Sequence, residues 1–190
     1  MSGARRLHWN EAHRAAGGTG AAEPSVAEAI ALQKPGLALD IAAGTGRNSL
    51  AIGRAGFRVI AIDYSEAGLA ILNSQARREG LAIWPVAADL TEFPIPPNRF
   101  DLVVNVCFLE RAIVPALRAA LRPGGAILFD TFTVDQAAIG HPRNPDFLLG
   151  RYELRAMLEG LELVRYREGI VTNAKGVKSW RAMALAVRAA

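Results

Sequence analysis

Between residues 37 and 132 the chain alternates short apolar runs with segments of helical period, and the first run leads through an acid into two closely spaced glycines: Leu37-Ala-Leu-Asp40-Ile-Ala-Ala-Gly44-Thr-Gly46. A run with almost no polar alternation suits a strand covered on both faces, the situation of parallel strands in α/β sheets. Parallel strands need crossovers, and the intervening helical segments supply them. This alternation predicts one α/β domain and leaves little room for other architectures.

The expected elements follow from local signals. Pro24 or Ser25 opens a helix with Val26, Ala29 and Ile30 on its apolar stripe, ended by Pro35-Gly36. After the strand at 37–42, a helix runs from Gly46 to about Ala55 and is closed by Gly56. A second strand at 57–62 meets Asp63, and Ser65 caps a helix from Glu66 to about Arg78. The third strand, 81–86, contains Pro85, which cannot donate to a ladder and so marks a sheet edge. Residues 89–99 hold three prolines and are expected to be irregular. Phe100–Val106 is the fourth strand, residues 111–121 a helix with Pro115 in its first turn, Pro123-Gly124-Gly125 a turn, and 126–132 the fifth strand. A proline-bearing loop at 135–149, a helix at 151–159, and strands at 161–168 and 179–187 joined through Asn173–Gly176 complete the chain.

The chain has 190 residues, enough for one domain, with 51% apolar and 21% charged residues. A single cysteine, Cys107, rules out an internal disulfide framework and suits a reducing compartment. The first residues lack the apolar core of a signal peptide, and no apolar stretch approaches the roughly 18 to 20 residues that span a bilayer. A cytoplasmic location is expected. The net charge is +4, but basic residues alternate with acids, as at Arg151, Glu153, Arg155 and Glu159. Ordinary solvated faces explain this better than a nucleic-acid stripe, which requires clustered cations.

The chemistry is concentrated at the carboxyl ends of the first strands. Glycines at a strand-to-helix turn let a ligand approach the backbone beside a positive helix end. Alone, such a turn is weak evidence, because it can also be a plain packing device. A nicotinamide fingerprint would need a third glycine where Ser49 stands, and Asp40 would sit badly beside a pyrophosphate. Asp40 better suits a ligand bearing an ammonium and a sulfonium. Asp63, ending the second strand, is placed to accept ribose hydroxyls, and Asp89, within Ala88-Asp89-Leu90, an adenine amino group. Isolated aspartates at strand ends are usually turn formers. Three of them beside one glycine turn point to a nucleoside ligand.

On these residues the chain resembles the class I methyltransferases that use S-adenosylmethionine (SAM). Asp40-Ile-Ala-Ala-Gly44-Thr-Gly46 resembles their first motif, Asp63 and Asp89 their ribose and adenine acids, Phe100-Asp-Leu-Val-Val-Asn-Val their fourth strand, and Leu121-Arg-Pro-Gly-Gly-Ala-Ile-Leu the lead into the fifth. Gly46-Arg47-Asn48-Ser49, Trp9-Asn-Glu, Glu23-Pro-Ser and the segment from Gly140 to Leu149 resemble the small tellurite-resistance type. The resemblance covers residues 20–190. It implies a Rossmann-like seven-stranded, mostly parallel sheet with one antiparallel strand and helices on both faces, the fourth strand lying beside the first.

The resemblance also implies SAM as cofactor and S-adenosylhomocysteine (SAH) as product. Cofactor contacts are expected from Asp40, Ala42, Gly44, Gly46, Arg47, Asn48, Asp63, Tyr64, Ala88, Asp89, Leu90, Asn105 and Val106. Tyr64 is equally readable as a surface aromatic. The acceptor pocket is expected over 105–111 and 132–147, with Phe108, Arg111, His141 and Arg143 on the substrate side; Arg143 would bind an oxyanion or brace its loop against Asp146 or Glu153. No catalytic residue and no metal is assigned, since a soft nucleophile needs alignment more than a base. Residues 1–22 are expected to form a flexible lid carrying Trp9, Glu11 and His13, or else a disordered terminal segment, and residues 23–190 the methyltransferase domain.

The expected acceptor is a small, soft or anionic molecule. Asn105-Val-Cys-Phe108 lacks the prolines of the Asn-Pro-Pro-Tyr-like motif of adenine amino-methylating enzymes, and one cysteine cannot build a multi-thiolate arsenic site. Nucleic-acid or protein methylation, or SAM binding without catalysis, stays open at this point.

Overall fold

The computed structural model describes residues 3–173 and 176–190. The elements are α1 (Gly3–Ala16), α2 (Pro24–Leu32), β1 (Leu37–Ile41), α3 (Arg47–Arg54), β2 (Arg58–Asp63), α4 (Glu66–Arg78), β3 (Ile83–Ala87), β4 (Phe100–Val106), α5 (Val114–Ala120), β5 (Leu121–Phe132), α6 (Glu153–Met157), β6 (Glu162–Thr172) and β7 (Lys178–Val187). All seven strands form one sheet in the order β3-β2-β1-β4-β5-β7-β6. β1 pairs in parallel with both β2 and β4, and β7 runs antiparallel to both its neighbours, β5 and β6. The expected Rossmann-like sheet, with the fourth strand beside the first and one antiparallel strand, is the one observed.

Two apolar clusters cover the two faces. Val26, Ala29, Leu50, Leu69 and Leu72, from α2, α3 and α4, pack against Ala38, Val59, Ala61, Leu102 and Val104. Val114, Leu117, Leu154 and Leu158 pack with Leu39, Ile41, Val103 and Phe129 on the other face. All seven residues of β4 are buried, as its unbroken apolar run requires. β3, with Pro85, lies at an edge, and Trp84 beside it is exposed.

Several boundaries differ from expectation. The helix expected at 111–121 is a single tight turn, Arg111–Ile113, followed by α5, because Pro115 belongs in a first turn and sets where the α-helix begins. Pro123-Gly124-Gly125 does not stand apart as a turn: β5 begins at Leu121, opposite Phe100, and the register shifts before Leu102 meets Ala126. Gly124, at φ +78°, accommodates that irregularity. The helix expected at 151–159 is short, and β6 extends to Thr172. The turn expected at Asn173–Gly176 lies partly outside the described residues.

Within the stretch expected to be a flexible lid, residues 3–16 form α1, which packs on α4. No helix among the described residues is long and apolar enough to cross a membrane.

Candidate active site at the carboxyl edge of the sheet

The glycine turn is built by consecutive backbone reversals after β1. Ala42, Gly44 and Gly46 have φ of +53°, +57° and +85°. A side chain at Gly46 would be strained and would overlap Leu72, so this position favours glycine. The amide of Gly44 donates to Asp63 Oδ2 at 2.7 Å, and the amide of Ser65 donates to Asp63 Oδ1 at 2.7 Å. Asp63 therefore joins the glycine turn to the loop after β2. Ser65 in turn caps α4, its hydroxyl accepting from the Gly68 amide.

Asp40 is buried and accepts the Ser49 hydroxyl at 2.5 Å. Burial pushes its carboxyl up to about 7, against the pull of the Ser49 bond; the Asp63 charge adds to the rise. Arg47 opens α3 and pairs with Glu23 at 2.9 Å, and Asn48 Oδ1 accepts the Glu23 amide at 3.1 Å. Tyr64 is half-buried next to Asp63. The Ala88 amide donates to the Asp63 carbonyl, Asp89 accepts from the amide and hydroxyl of Thr91, and Leu90 is buried.

Asn105 and Val106, closing β4, are buried. Asn105 Nδ2 donates to the Phe108 carbonyl at 2.8 Å, whereas its Oδ1 has no partner among the described residues. An unpaired buried acceptor costs about 1–3 kcal/mol, so it marks a place where a ligand donor fits. The glycine turn, Asp63 and this orphaned oxygen share the carboxyl edge of the sheet, where open α/β sheets bind ligands. The residues present thus fit an adenosine-containing cofactor with an ammonium group.

Among the residues expected to border the acceptor, Phe108 is half-buried against the apolar cluster. Arg111 is a brace: it makes a bidentate pair with Glu153 at 2.6 and 3.0 Å and donates to the carbonyls of Asp146 and Leu148. His141 and Arg143 are exposed, and Arg143 makes no ion pair among the described residues. The loop carrying them is pinned by Gln136, which donates to the His141 carbonyl and accepts the Trp180 amide, and by the bridge between Thr133 and Leu149. A cavity of about 270 Å³ lies beneath it, lined by Leu109, Glu110, Arg111, Asp146 and Phe147. A larger cavity, about 430 Å³, is lined by Pro97, Pro115 and Arg118 and lies at the opposite edge of the sheet. The general rule for open α/β sheets puts the ligand at the carboxyl edge instead.

Sequence reasoning missed two groups. The first is Asn10: its Oδ1 accepts the Ser65 hydroxyl at 2.8 Å and the Ala67 amide at 3.1 Å, docking α1 on the start of α4. His13 then lies over the glycine turn, where a β-carbon on Gly44 would sit 3.2 Å from its Nε2. Trp9 stacks against His13, and Trp9 and Glu11 are exposed. The second is an ionic network. Asp130, near the end of β5, accepts from Ser25 Oγ at 2.7 Å and Arg181 Nε at 2.9 Å, while Glu23 pairs with Arg47 and Arg181. Only the position of Asp130 in a strand next to β4 could have hinted at it. Among the described residues, no group of three or more histidines, cysteines and acids could hold a metal.

Residues 38–125 match the family model of a methyltransferase domain. The chain is 26% identical over 160 residues to a probable SAM-dependent methyltransferase, TehB, of Haemophilus influenzae, covering 80% of this chain and 55% of that protein. It is 29% identical over 163 residues to Hemagglutinin 1 of Eikenella corrodens, covering 80% of this chain and 54% of the other. To the demethylmenaquinone methyltransferase of Clavibacter sepedonicus it is 33% identical over 100 residues, covering 50% and 40%. The chain thus spans about half the length of these relatives. The crystal structure of the Haemophilus TehB superposes with a TM-score of 0.77 at 26% identity, covering 90% of this chain and 63% of that one.

Proposed function

We propose that this chain, a class I SAM-dependent methyltransferase resembling TehB, moves the SAM methyl group to a small, soft or anionic acceptor in the cytoplasm. The observation that carries the reading is the convergence of the positive-φ glycine turn, Asp63 and the orphaned Asn105 Oδ1 on one sheet edge. When bound, SAM supplies an electrophilic methyl on a sulfonium and leaves as SAH.

In this reading Asp63, held by two backbone amides, faces the ribose, and Ala88, Asp89 and Leu90 flank the adenine with Tyr64. Asp40 and Asn105 Oδ1 take the ammonium end, and Ala42, Gly44, Gly46 and Asn48 form the floor. Residues 23–190 are the methyltransferase domain, and α1, with His13 over the glycine turn, is the lid of residues 1–22. Phe108, His141 and Arg143 border the acceptor. A soft nucleophile aligned roughly 3 Å from the methyl needs no base. Many arginines are paired with acids, as Arg54 with Glu79 and Arg165 and Arg167 with Glu28. This dispersal supports a small acceptor over a nucleic acid.

The test joins binding and turnover. Asp63→Ala should weaken SAM binding by about 1.5 to 3 kcal/mol in calorimetric titration of a protein shown by circular dichroism to be folded. SAH release should appear with thiols, selenite or tellurite. Methylation of tRNA or an amine, with none of these small soft acceptors used, would refute the acceptor class.

A further inference from the structure

We infer that Glu23 is an internal carboxylate that holds Arg47 and Arg181 as a ligand carboxylate would, and that a bound ligand's carboxylate displaces it. The inference rests on the methyltransferase reading and names a specificity element within it. Glu23 is the residue preceding α2, yet its side chain makes no capping bond to that helix. Its Oε1 lies 2.9 Å from Arg47 Nη2 and its Oε2 3.5 Å from Arg181 Nη1.

The network has a fixed half and an exchangeable half. Arg181 is buried, and its Nε and Nη2 are spent on the Oδ1 and the carbonyl of Asp130, at 2.9 and 3.1 Å. Asp130 is also held by Ser25. Breaking such a buried pair leaves an uncompensated charge, so this half stays assembled. The third guanidinium nitrogen, Nη1, reaches Glu23 at a distance longer than a good charge-assisted bond. Glu23 and Arg47 are 21% and 35% exposed, and partly exposed pairs of this kind are weak.

The site has the chemistry of a carboxylate receptor: two guanidiniums on α3 and β7 converge on one acid from a third element. It also adjoins the site above, because Arg47 Nη2 lies 3.8 Å from the sulfur of Cys107, the residue after β4, whose amide donates to the Asp130 carbonyl. Two ligands could bring the carboxylate: the amino-acid end of the cofactor, or an anionic acceptor. The shared requirement is that Glu23 withdraw.

Calorimetric titration of SAH and of 5′-methylthioadenosine, which lacks the amino-acid end, into wild type and Glu23→Gln separates the sources. SAH bound at least tenfold tighter by Glu23→Gln, with methylthioadenosine unchanged, supports the inference with the cofactor as the source. Mercaptoacetate bound tenfold tighter to the SAH-saturated variant, with SAH itself unchanged, supports it with the acceptor as the source. Glu28→Gln, which removes the same charge from the exposed pairs with Arg165 and Arg167, controls for net charge. Equal gains in Glu28→Gln, or no gain in a folded Glu23→Gln protein, overturn the inference. Should that variant fail to fold, the crystal structure of wild type with SAH and mercaptoacetate decides. Glu23 withdrawn from Arg47 supports displacement, and Glu23 still paired with it overturns displacement. Failure of SAH and methylthioadenosine alike to bind wild type would remove the cofactor reading as well.

Discussion

Replacing Asp40 with asparagine should make the protein more stable at neutral pH while making it a poorer binder of SAM. The Asp40 carboxyl is fully buried, and it is held by Ser49, through the hydroxyl at 2.5 Å and through the backbone. Burial raises its pKa from 3.8 to about 7 in the folded chain. Below pH 3.8 the group is protonated in both states and costs nothing. Between 3.8 and about 7 the unfolded chain releases this proton while the folded chain keeps it, so stability falls as pH rises. Above 7 both states are ionised and the full penalty persists. At about 1.36 kcal/mol per pH unit, the ceiling is about 4 kcal/mol.

Urea denaturation of wild type and Asp40→Asn from pH 4 to 8 isolates this group, because every other ionisation is common to both proteins. The asparagine Oδ1 can still accept from Ser49. The difference in stability should widen in favour of the variant up to pH 7 and then level. A SAM ammonium near Asp40 would favour the ionised form, so wild-type SAM affinity should rise with pH until about 7, and the variant should lose both the affinity and this dependence. Parallel stability profiles would refute the argument from burial, and an unchanged SAM affinity would take Asp40 out of the cofactor site.

Gly46→Ala should destabilise the protein by about 2 to 4 kcal/mol in urea denaturation, combining a positive-φ penalty with overpacking against Leu72; a loss under 1 kcal/mol would show that the turn relaxes. Arg143→Ala should raise the KM for an anionic acceptor about tenfold, a loss typical of one charged hydrogen bond, with SAM affinity unchanged in calorimetry. An unchanged KM would place Arg143 outside the acceptor pocket.

What the sequence makes legible is whatever neighbouring residues decide. β4 was bounded correctly at Phe100 and Val106 because an unbroken apolar run has no alternative register. β3 was placed at an edge by the missing amide of Pro85. The glycine turn could be read because strand, reversal and helix lie within ten residues. The start of β5 could not, because Leu121 belongs to the sheet only through its pairing with Phe100, twenty-one residues away. α1 shows no apolar stripe; it is docked by Asn10 on Ser65 and by His13 over Gly44, contacts that periodicity does not report. The network of Glu23, Arg47, Asp130 and Arg181 draws on four distant segments, each of which looks in isolation like an ordinary solvated charge.

The same distinction separates the polar atoms that build the site from those available to a ligand. Both oxygens of Asp63 are engaged by backbone amides, so its first task is to hold two loops together, and any ribose contact must use the remaining lone pairs. Arg111 is engaged four times over and fixes the loop at Asp146–Leu148. Unspent capacity lies elsewhere: in Asn105 Oδ1 at the end of β4 and Thr133 Oγ1 just past β5, both buried without a partner among the described residues, and in exposed Arg143. Buried acceptors of this kind are tolerated when a ligand repays them. Since β4 and β5 are adjacent and parallel, both orphaned oxygens lie toward the carboxyl edge of the sheet. In the proposed reading, that edge faces both the cofactor and the acceptor loop.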